Sequence, residues 1–150
     1  MARYFLDSSA LVKRYHEEGG SADVEELLDA PGNRFLISRL ALVEVYSSFA
    51  RLAREGILSR SDYDKLIERF EGDVASGVLS VAATSSRRLE GACSLLGTHG
   101  STNAMRTLDA IQLATAEALH GRSRLAAFVA ADKKLLAVTA AIGLPVLDVG

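Results

Sequence analysis

The chain has 150 residues, of which 49% are hydrophobic and 24% charged, with 12 glycines and only 2 prolines. These values are typical of a folded globular protein and exclude a disordered or fibrous chain. The formal net charge of −2 neither indicates nor excludes binding to nucleic acid, because acids that hold cations can still attract phosphate.

The length and the cysteine content narrow the class of protein further. The length suits a single domain over residues 1–150. The only cysteine, Cys93, excludes an internal disulfide and favours a reducing, cytoplasmic setting; we interpret it as a small buried apolar residue. The apolar stretch over residues 4–6 is too short for a signal peptide, and no run is long enough to span a membrane.

The first half of the chain alternates β-like runs with helical patterns. In chain order these are a strand over residues 2–6, helical residues 10–15, a helix over 22–28, a strand over 35–37, a helix from Ser38 to Gly56 and a helix from Ser59 or Ser61 to Val74. We expect Ser8 or Ser9 to cap the first helical segment, Ser21 the second and Ser38 the third.

The second half continues the alternation. In chain order it contains a strand over residues 78–81, a helix from Ser85 or Ser86 through Leu96, a glycine-rich loop over 97–101, an alanine-rich helix over 108–119 capped by Thr107, a strand over 125–131, a helix over 133–141 and a strand over 145–147. The continuously apolar run over 125–131 is typical of a strand buried on both faces. The alternation predicts an α/β fold, with a parallel sheet covered by helices on both faces.

Two aspartates hold equivalent positions, each directly after a predicted strand. Asp7 follows the first strand, and Asp132 follows the apolar run over 125–131. Ligands of open α/β sheets bind beyond the carboxyl ends of the strands, and parallel strands place those ends at one edge. Both aspartates are therefore expected at that edge, although each is also a good N-cap.

Two more acids stand among apolar neighbours on helices. Glu44 lies about two turns into the helix after Ser38, and Asp109 lies in the first turn of the alanine-rich helix. We expect both to point to the same edge; the alternatives are a solvated Glu44 and an Asp109 that only favours the helix dipole.

Four carboxylates in one pocket would repel each other unless cations neutralised them. Mg²⁺ or Mn²⁺ prefers such oxygen ligands and can activate a water molecule against a phosphodiester. The pattern therefore predicts metal-dependent phosphodiester hydrolysis. No Ser-His-Asp or Cys-His arrangement competes, because the three histidines lie in unrelated contexts.

Four segments of the chain resemble the PIN-domain nucleases, and specifically the VapC-type toxins of prokaryotic toxin–antitoxin pairs. They are YFLDSSALVK at residues 4–13, SRLALVEV at 38–45, RTLDAIQLATA at 106–116 and FVAADKKL at 128–135. They keep the family's order over essentially the whole chain. The resemblance implies a PIN-like three-layer sandwich, in which helices flank a central, mostly parallel sheet.

The same resemblance implies roles and partners. Asp7 and Asp109 would be the main metal ligands, and Glu44 would hold the metal directly or through water. Asp132 would complete the ring of acidic side chains. The implied protein is an endoribonuclease that uses Mg²⁺ or Mn²⁺. It would form a homodimer, and the tail of a cognate antitoxin would cover its acidic groove.

One departure from the family concerns hydroxyl groups near the fourth acid. Many relatives carry Thr or Ser just before it, where this chain has Ala130 and Ala131. Ser8 or Ser9 could supply the hydroxyl to a carboxylate or a water from the end of the first strand.

Basic residues near the acids could contact the RNA backbone, although single charges at helical spacing usually lie on solvated faces. The candidates are Arg39, Arg51, Arg54, Arg106, Lys133 and Lys134. The two lysines are preferred because they adjoin the fourth acid. Three rival functions remain: a catalytically silent PIN-like module that binds RNA or protein, a receiver-type phosphoacceptor and a DNA flap nuclease.

Overall fold

The computed structural model describes all of residues 1–150. Its strands are β1 (Arg3–Leu6), β2 (Arg34–Ser38), β3 (Leu79–Ala82), β4 (Ala127–Ala130) and β5 (Val146–Asp148). Its helices are α1 (Ser8–Leu11), α2 (Ser21–Asp29), α3 (Arg39–Arg54), α4 (Arg60–Ala75), α5 (Ser86–His99), α6 (Thr107–Arg122) and α7 (Lys133–Ala141). A 3₁₀ turn over Val12–Arg14 continues α1. None of the helices has the length and apolarity that a membrane span requires.

The five strands form one sheet in the order β3-β2-β1-β4-β5. Every pairing is parallel, which confirms the predicted sheet. β1 is the central strand, and its Phe5 lies opposite Leu36 of β2 and Phe128 of β4. The carboxyl ends of β1 and β4 therefore lie side by side at one edge.

Two apolar clusters cover the two faces of the sheet, because alternate side chains of a strand point to opposite faces. Leu6 of β1 belongs to the cluster formed with α1 to α4, whereas Phe5 belongs to the cluster formed with α5 to α7. Each residue of β4 is buried, as predicted from its apolar run. The result is the three-layer sandwich expected from the sequence.

Ser38 caps α3 as predicted, because its hydroxyl accepts a backbone N–H of the first helical turn. Of the alternatives left open by the sequence, Ser59 rather than Ser61 caps α4, and Ser85 rather than Ser86 caps α5. The prediction for Ser21 was wrong, because Gly20 takes the cap position at a φ of +83° and the Ser21 hydroxyl donates to the Lys13 carbonyl instead. A side chain could not replace Gly20, since its Cβ would lie 1.8 Å from the Val149 carbonyl oxygen.

Three other local predictions also need correction. The cap of α1 is Asp7 and not Ser8 or Ser9, because the Asp7 carboxylate accepts the Ser9 N–H. Thr107 is the first residue of α6 and does not cap it. Cys93 is exposed on α5 and is not a core residue.

A polar contact ties α4 to the turn after α1. Arg14 Nε and the Tyr15 hydroxyl both donate to Asp73 Oδ2, each at 2.7 Å. Burial acts to raise the pKa of Asp73, but the hydrogen bonds from Arg14 and Tyr15 outweigh it and hold that pKa below its ordinary value. Since the Tyr15 ring packs edge-on against Phe70, the contact joins a polar group to the apolar core.

We predict that Asp73→Asn lowers the free energy of unfolding by about 2 kcal/mol at pH 7, because it weakens a partly buried ion pair. The depressed pKa of Asp73 means that this stabilisation is present above the ordinary aspartate range and is lost as the pH falls through the folded-state pKa. Chemical denaturation at pH 7 and pH 3 measures both effects. Asp64→Asn, which removes the exposed Arg60–Asp64 pair, is the control and should cost less than about 0.5 kcal/mol. Equal losses in the two variants would contradict the prediction.

Candidate active site

The carboxyl ends of β1 and β4 open into one acidic cavity. Asp7 directly follows β1, and Asp132 lies just beyond β4, separated from it by Ala131. Glu44 reaches the cavity from α3 and Asp109 from the first turn of α6, so all four predicted acids line a single space of about 330 Å³. The fold thus brings together four carboxylates that are far apart in the sequence.

Asp7 is the most enclosed of the four acids, with 5% of its surface exposed. The Ser9 N–H and the Ser9 hydroxyl both donate to Asp7 Oδ2, at 3.1 and 2.6 Å. The same hydroxyl accepts the Ala131 N–H at 3.0 Å. Ser9 therefore joins the ends of β1 and β4 and holds Asp7 between them.

Burial raises the pKa of Asp7 to about 6, because the surrounding protein cannot solvate the charged form as water does. The two hydrogen bonds from Ser9 act in the opposite direction, and the negative charges of Glu44 and Asp109 raise the pKa further. A cation in the cavity would favour the ionised form. Asp7 is thus a buried carboxylate without a positive partner in the protein.

Glu44 is half-buried in the second turn of α3. The Ser8 hydroxyl donates to Glu44 Oε2 at 2.9 Å, and Gln112 Nε2 donates to Glu44 Oε1 at 2.6 Å. Both carboxylate oxygens therefore accept a hydrogen bond from an uncharged side chain.

Asp109 and Asp132 each support the start of a helix while lining the cavity. The Arg106 N–H donates to Asp109 Oδ2 at 3.1 Å, and the Arg106 guanidinium lies 3.5 Å from the same oxygen. Asp132 Oδ1 accepts the Lys134 and Leu135 N–H groups at 2.9 and 3.2 Å, which makes it the N-cap of α7. Asp132 therefore both caps its helix and lines the cavity, and Asp109 lines the cavity from the first turn of α6, where an acid also favours the helix dipole.

The three aspartates share a pattern that Glu44 does not. Every protein hydrogen bond to Asp7 or Asp109 ends on Oδ2, and those to Asp132 end on Oδ1. Each aspartate thus keeps one oxygen without a protein donor. These oxygens are the kind of ligand that Mg²⁺ and Mn²⁺ take.

The spacing of the acids bears on how an ion would fit. No three acidic, histidine or cysteine side chains are close enough together to hold one ion by themselves. Mg²⁺ commonly keeps several water molecules and binds through only one or two carboxylates, so the residues present fit such an ion in kind and in number.

Three further polar residues line the cavity that sequence reasoning had not assigned to a site: His16, Glu18 and Ser48. Ser48 follows Glu44 on α3 by four positions, so helical spacing could have placed it on the same face of the helix. His16 and Glu18 come from the irregular segment before α2, where no periodic pattern exists. Of the predicted basic residues, Arg51 and Arg106 line the cavity, whereas Lys133 and Lys134 are exposed outside its lining.

A family model for the PIN domain matches residues 4–141. The chain belongs to the PIN domain family. The match contains all four acids of the cavity, from Asp7 to Asp132. No curated protein sequence matches this PIN domain.

Solved structures share the fold of this PIN domain over nearly its whole length. VapC20 of Mycobacterium tuberculosis, a sarcin–ricin loop cleaving toxin, has a TM-score of 0.69 and 16% identity, and the match covers 97% of this chain and 98% of that one. DNA-bound VapBC of Salmonella typhimurium has a TM-score of 0.65 and 14% identity over 100% of both chains. A toxin–antitoxin complex of Klebsiella pneumoniae has a TM-score of 0.63 and 20% identity over 98% of both chains. Similarity at these identities shows a common fold.

We predict that Asp7→Asn stabilises the PIN domain in the presence of a chelator. A carboxyl group whose pKa is raised by folding contributes stability at low pH and loses it as the pH rises through the folded-state value, here about 6. The variant should therefore match the wild type near pH 4 and exceed it by about 1–3 kcal/mol above pH 7. Chemical denaturation from pH 4 to 8 measures the difference, with Asp64→Asn as the control. If Asp7→Asn were less stable than the wild type at pH 7.5, this would contradict the raised pKa of Asp7.

Proposed function

We propose that this PIN domain is a metal-dependent endoribonuclease and the toxin of a toxin–antitoxin pair. The observation that carries the proposal is the meeting of four carboxylates in one cavity, with Asp7 buried among them without a cationic partner. Such an arrangement costs stability in the metal-free protein, and a bound divalent cation would offset that cost. We also propose that residues 1–150 act as a single domain.

In this proposal the aspartates hold the ion. Asp7 and Asp109 are the main ligands through the oxygens that accept no protein hydrogen bond, and Asp132 completes the acidic ring around the cavity. Glu44 holds the ion directly or through water. A bound Mg²⁺ or Mn²⁺ supplies positive charge that stabilises a phosphodiester under attack by water.

Basic side chains beside the cavity suit contact with the phosphate backbone of RNA. The Arg51 and Arg106 side chains are 54% and 81% exposed, and each is paired only with a nearby carboxylate, Glu55 or Asp109. The Arg51–Glu55 pair is exposed and therefore weak, and the Arg106 guanidinium lies only at the 3.5 Å limit of a hydrogen bond to Asp109, so either guanidinium can turn to a phosphate. Lys133 and Lys134, which are exposed and directly follow Asp132 in the sequence, are further candidates for contact with the phosphate backbone.

The toxin assignment has separate support. Similar folds include the sarcin–ricin loop cleaving toxin VapC20, DNA-bound VapBC and a toxin–antitoxin complex. The four segments that resemble VapC-type toxins carry all four acids. We therefore propose a cognate antitoxin as partner, a homodimer as the assembly and a cytoplasmic setting, in which the lone Cys93 stays reduced.

The alternative is a catalytically silent PIN-like module that binds RNA or protein. One observation favours it: no three potential ligands converge closely on one point. The two functions differ in whether the acids are needed for cleavage or only shape a surface.

We predict cleavage of labelled single-stranded or looped RNA by the wild type with Mg²⁺ or Mn²⁺. Asp7→Asn should slow it by about 100-fold or more, because charge stabilisation at a reacting centre is worth that much. Asp64→Asn, an exposed acid outside the cavity, should leave it unchanged. Equal background cleavage by the wild type and Asp7→Asn would establish the silent module instead. Equal cleavage of DNA of the same sequence would show a nuclease without RNA specificity.

We also predict that Mn²⁺ raises the melting temperature of the wild type, because a ligand that binds only the folded state stabilises it. At a free Mn²⁺ concentration of 100 times Kd, the free energy of unfolding rises by about 2.7 kcal/mol. Asp109→Asn should lose most of this shift, since it removes a main ligand. Differential scanning calorimetry with and without Mn²⁺ measures it, and an undiminished shift in the variant would remove Asp109 from the ligand set.

A further inference from the structure

Gln112 is a buried polar residue that sequence reasoning had passed over. It lies on α6, three residues after Asp109, and only 1% of its surface is exposed. Its neighbours along the helix, Leu113 and Ala114, belong to the apolar core. Burying an amide at such a position is unfavourable unless its groups are hydrogen-bonded.

The amide of Gln112 is only half satisfied. Its Nε2 donates to Glu44 Oε1 at 2.6 Å across the gap between α6 and α3. Its Oε1 is buried and has no hydrogen-bond partner in the protein. An apolar side chain of similar size would avoid the unpartnered oxygen, so stability alone does not account for a glutamine here.

The contact instead fixes the direction of one catalytic-site carboxylate. Ser8 donates to the second oxygen of Glu44, so the two neutral donors hold the carboxylate from both sides. A carboxylate has about four lone-pair sites, and two hydrogen bonds leave capacity for a further ligand. Neutral donors also add no positive charge that would compete with a cation.

We infer that Gln112 is a positioning residue, which together with Ser8 orients Glu44 for a divalent cation in the acidic cavity. The inference rests on the proposed function. Gln112 itself does not line the cavity and acts only through Glu44. A carboxylate at position 112 would add a negative charge beside Glu44, and an apolar residue would leave Glu44 Oε1 free to turn away.

The test is a double-mutant cycle on Mn²⁺ affinity, measured from the free Mn²⁺ signal in electron paramagnetic resonance. Gln112→Met keeps the side-chain volume but removes the donor. It should raise the Kd for Mn²⁺ about tenfold, as loss of a group that supports a metal ligand commonly does. In the Glu44→Gln background, the same substitution should change Kd by less than about twofold, because no carboxylate remains to be oriented.

Two further variants separate orientation from folding. Ser8→Ala removes the other donor to Glu44 and should also weaken Mn²⁺ binding, whereas Thr115→Val removes a buried hydrogen bond on the same helix and should not. Thermal unfolding without metal should show Gln112→Met at least as stable as the wild type, since it removes an unpartnered buried oxygen.

The possible results separate the role of Gln112 from the existence of the metal site and from an effect on folding. Wild-type affinity in Gln112→Met, or an equal loss in the Glu44→Gln background, would overturn the role of Gln112 while leaving the metal site intact. A Gln112→Met protein that is strongly destabilised and bound normally by Mn²⁺ at low temperature would show a structural role and overturn the inference as well. A wild type that binds no Mn²⁺ would overturn the proposed function itself, and the inference with it.

Discussion

Repulsion between carboxylates at the edge of the sheet is the constraint on which the site depends. Asp7, Glu44 and Asp109 lie close enough that the charges of the last two raise the pKa of Asp7, which burial has already raised. The protein holds Asp7 and Glu44 with neutral donors from serine, glutamine and backbone N–H groups, whereas Asp109 also lies 3.5 Å from the Arg106 guanidinium. The positions of Asp7 and Glu44 are thus fixed without cancelling their negative charges. Uncompensated negative charge in one cavity lowers the stability of the fold, and such a loss is typical of functional sites.

The way each carboxylate is held divides the four acids into two kinds. The three aspartates are anchored through one oxygen to the start of a helix, so the geometry of the helix also sets the direction of the free oxygen. Glu44 lies within α3 rather than at its start, and no backbone N–H is available to it there. Side chains from α1 and α6 must hold it instead. This difference explains why Glu44 alone needs supporting residues from two other helices.

The sequence predicted the sheet and the meeting of the acids because both follow from simple periodic patterns. Parallel strands that alternate with helices place Asp7 and Asp132 at one edge, and an acid among apolar residues marks Glu44. Gln112 had no comparable signal, since α6 is buried on all sides from Gln112 to Ala116, and its sequence does not separate a polar from an apolar face against which an inward glutamine would stand out. His16 had none either, because it lies in irregular chain.

The two wrong serine caps, at α1 and at α2, have a common physical cause. A serine before a helical pattern is a good N-cap only when its hydroxyl faces the first turn, and tertiary contacts decide that. The Ser21 hydroxyl is drawn to the Lys13 carbonyl, and the close approach of Val149 leaves the cap position to glycine. Asp7 replaces Ser8 as the cap of α1, which frees the Ser8 hydroxyl to bind Glu44. The misassigned cap is therefore part of the same arrangement that builds the site.

No hydroxyl side chain directly precedes Asp132, and a serine that follows the neighbouring strand supplies one to this end of the sheet. Ala130 and Ala131 supply no side-chain donor, yet the end of β4 receives a hydroxyl from Ser9, which follows β1. This works because β1 and β4 are adjacent and parallel, so residues just past their ends lie within hydrogen-bond distance. Ser9 makes hydrogen bonds to Asp7 and to the Ala131 backbone but none to Asp132. The hydroxyl therefore supports the carboxylate after β1 and leaves the one after β4 to its helix cap alone, so of the four acids Asp132 is the one held by backbone groups only.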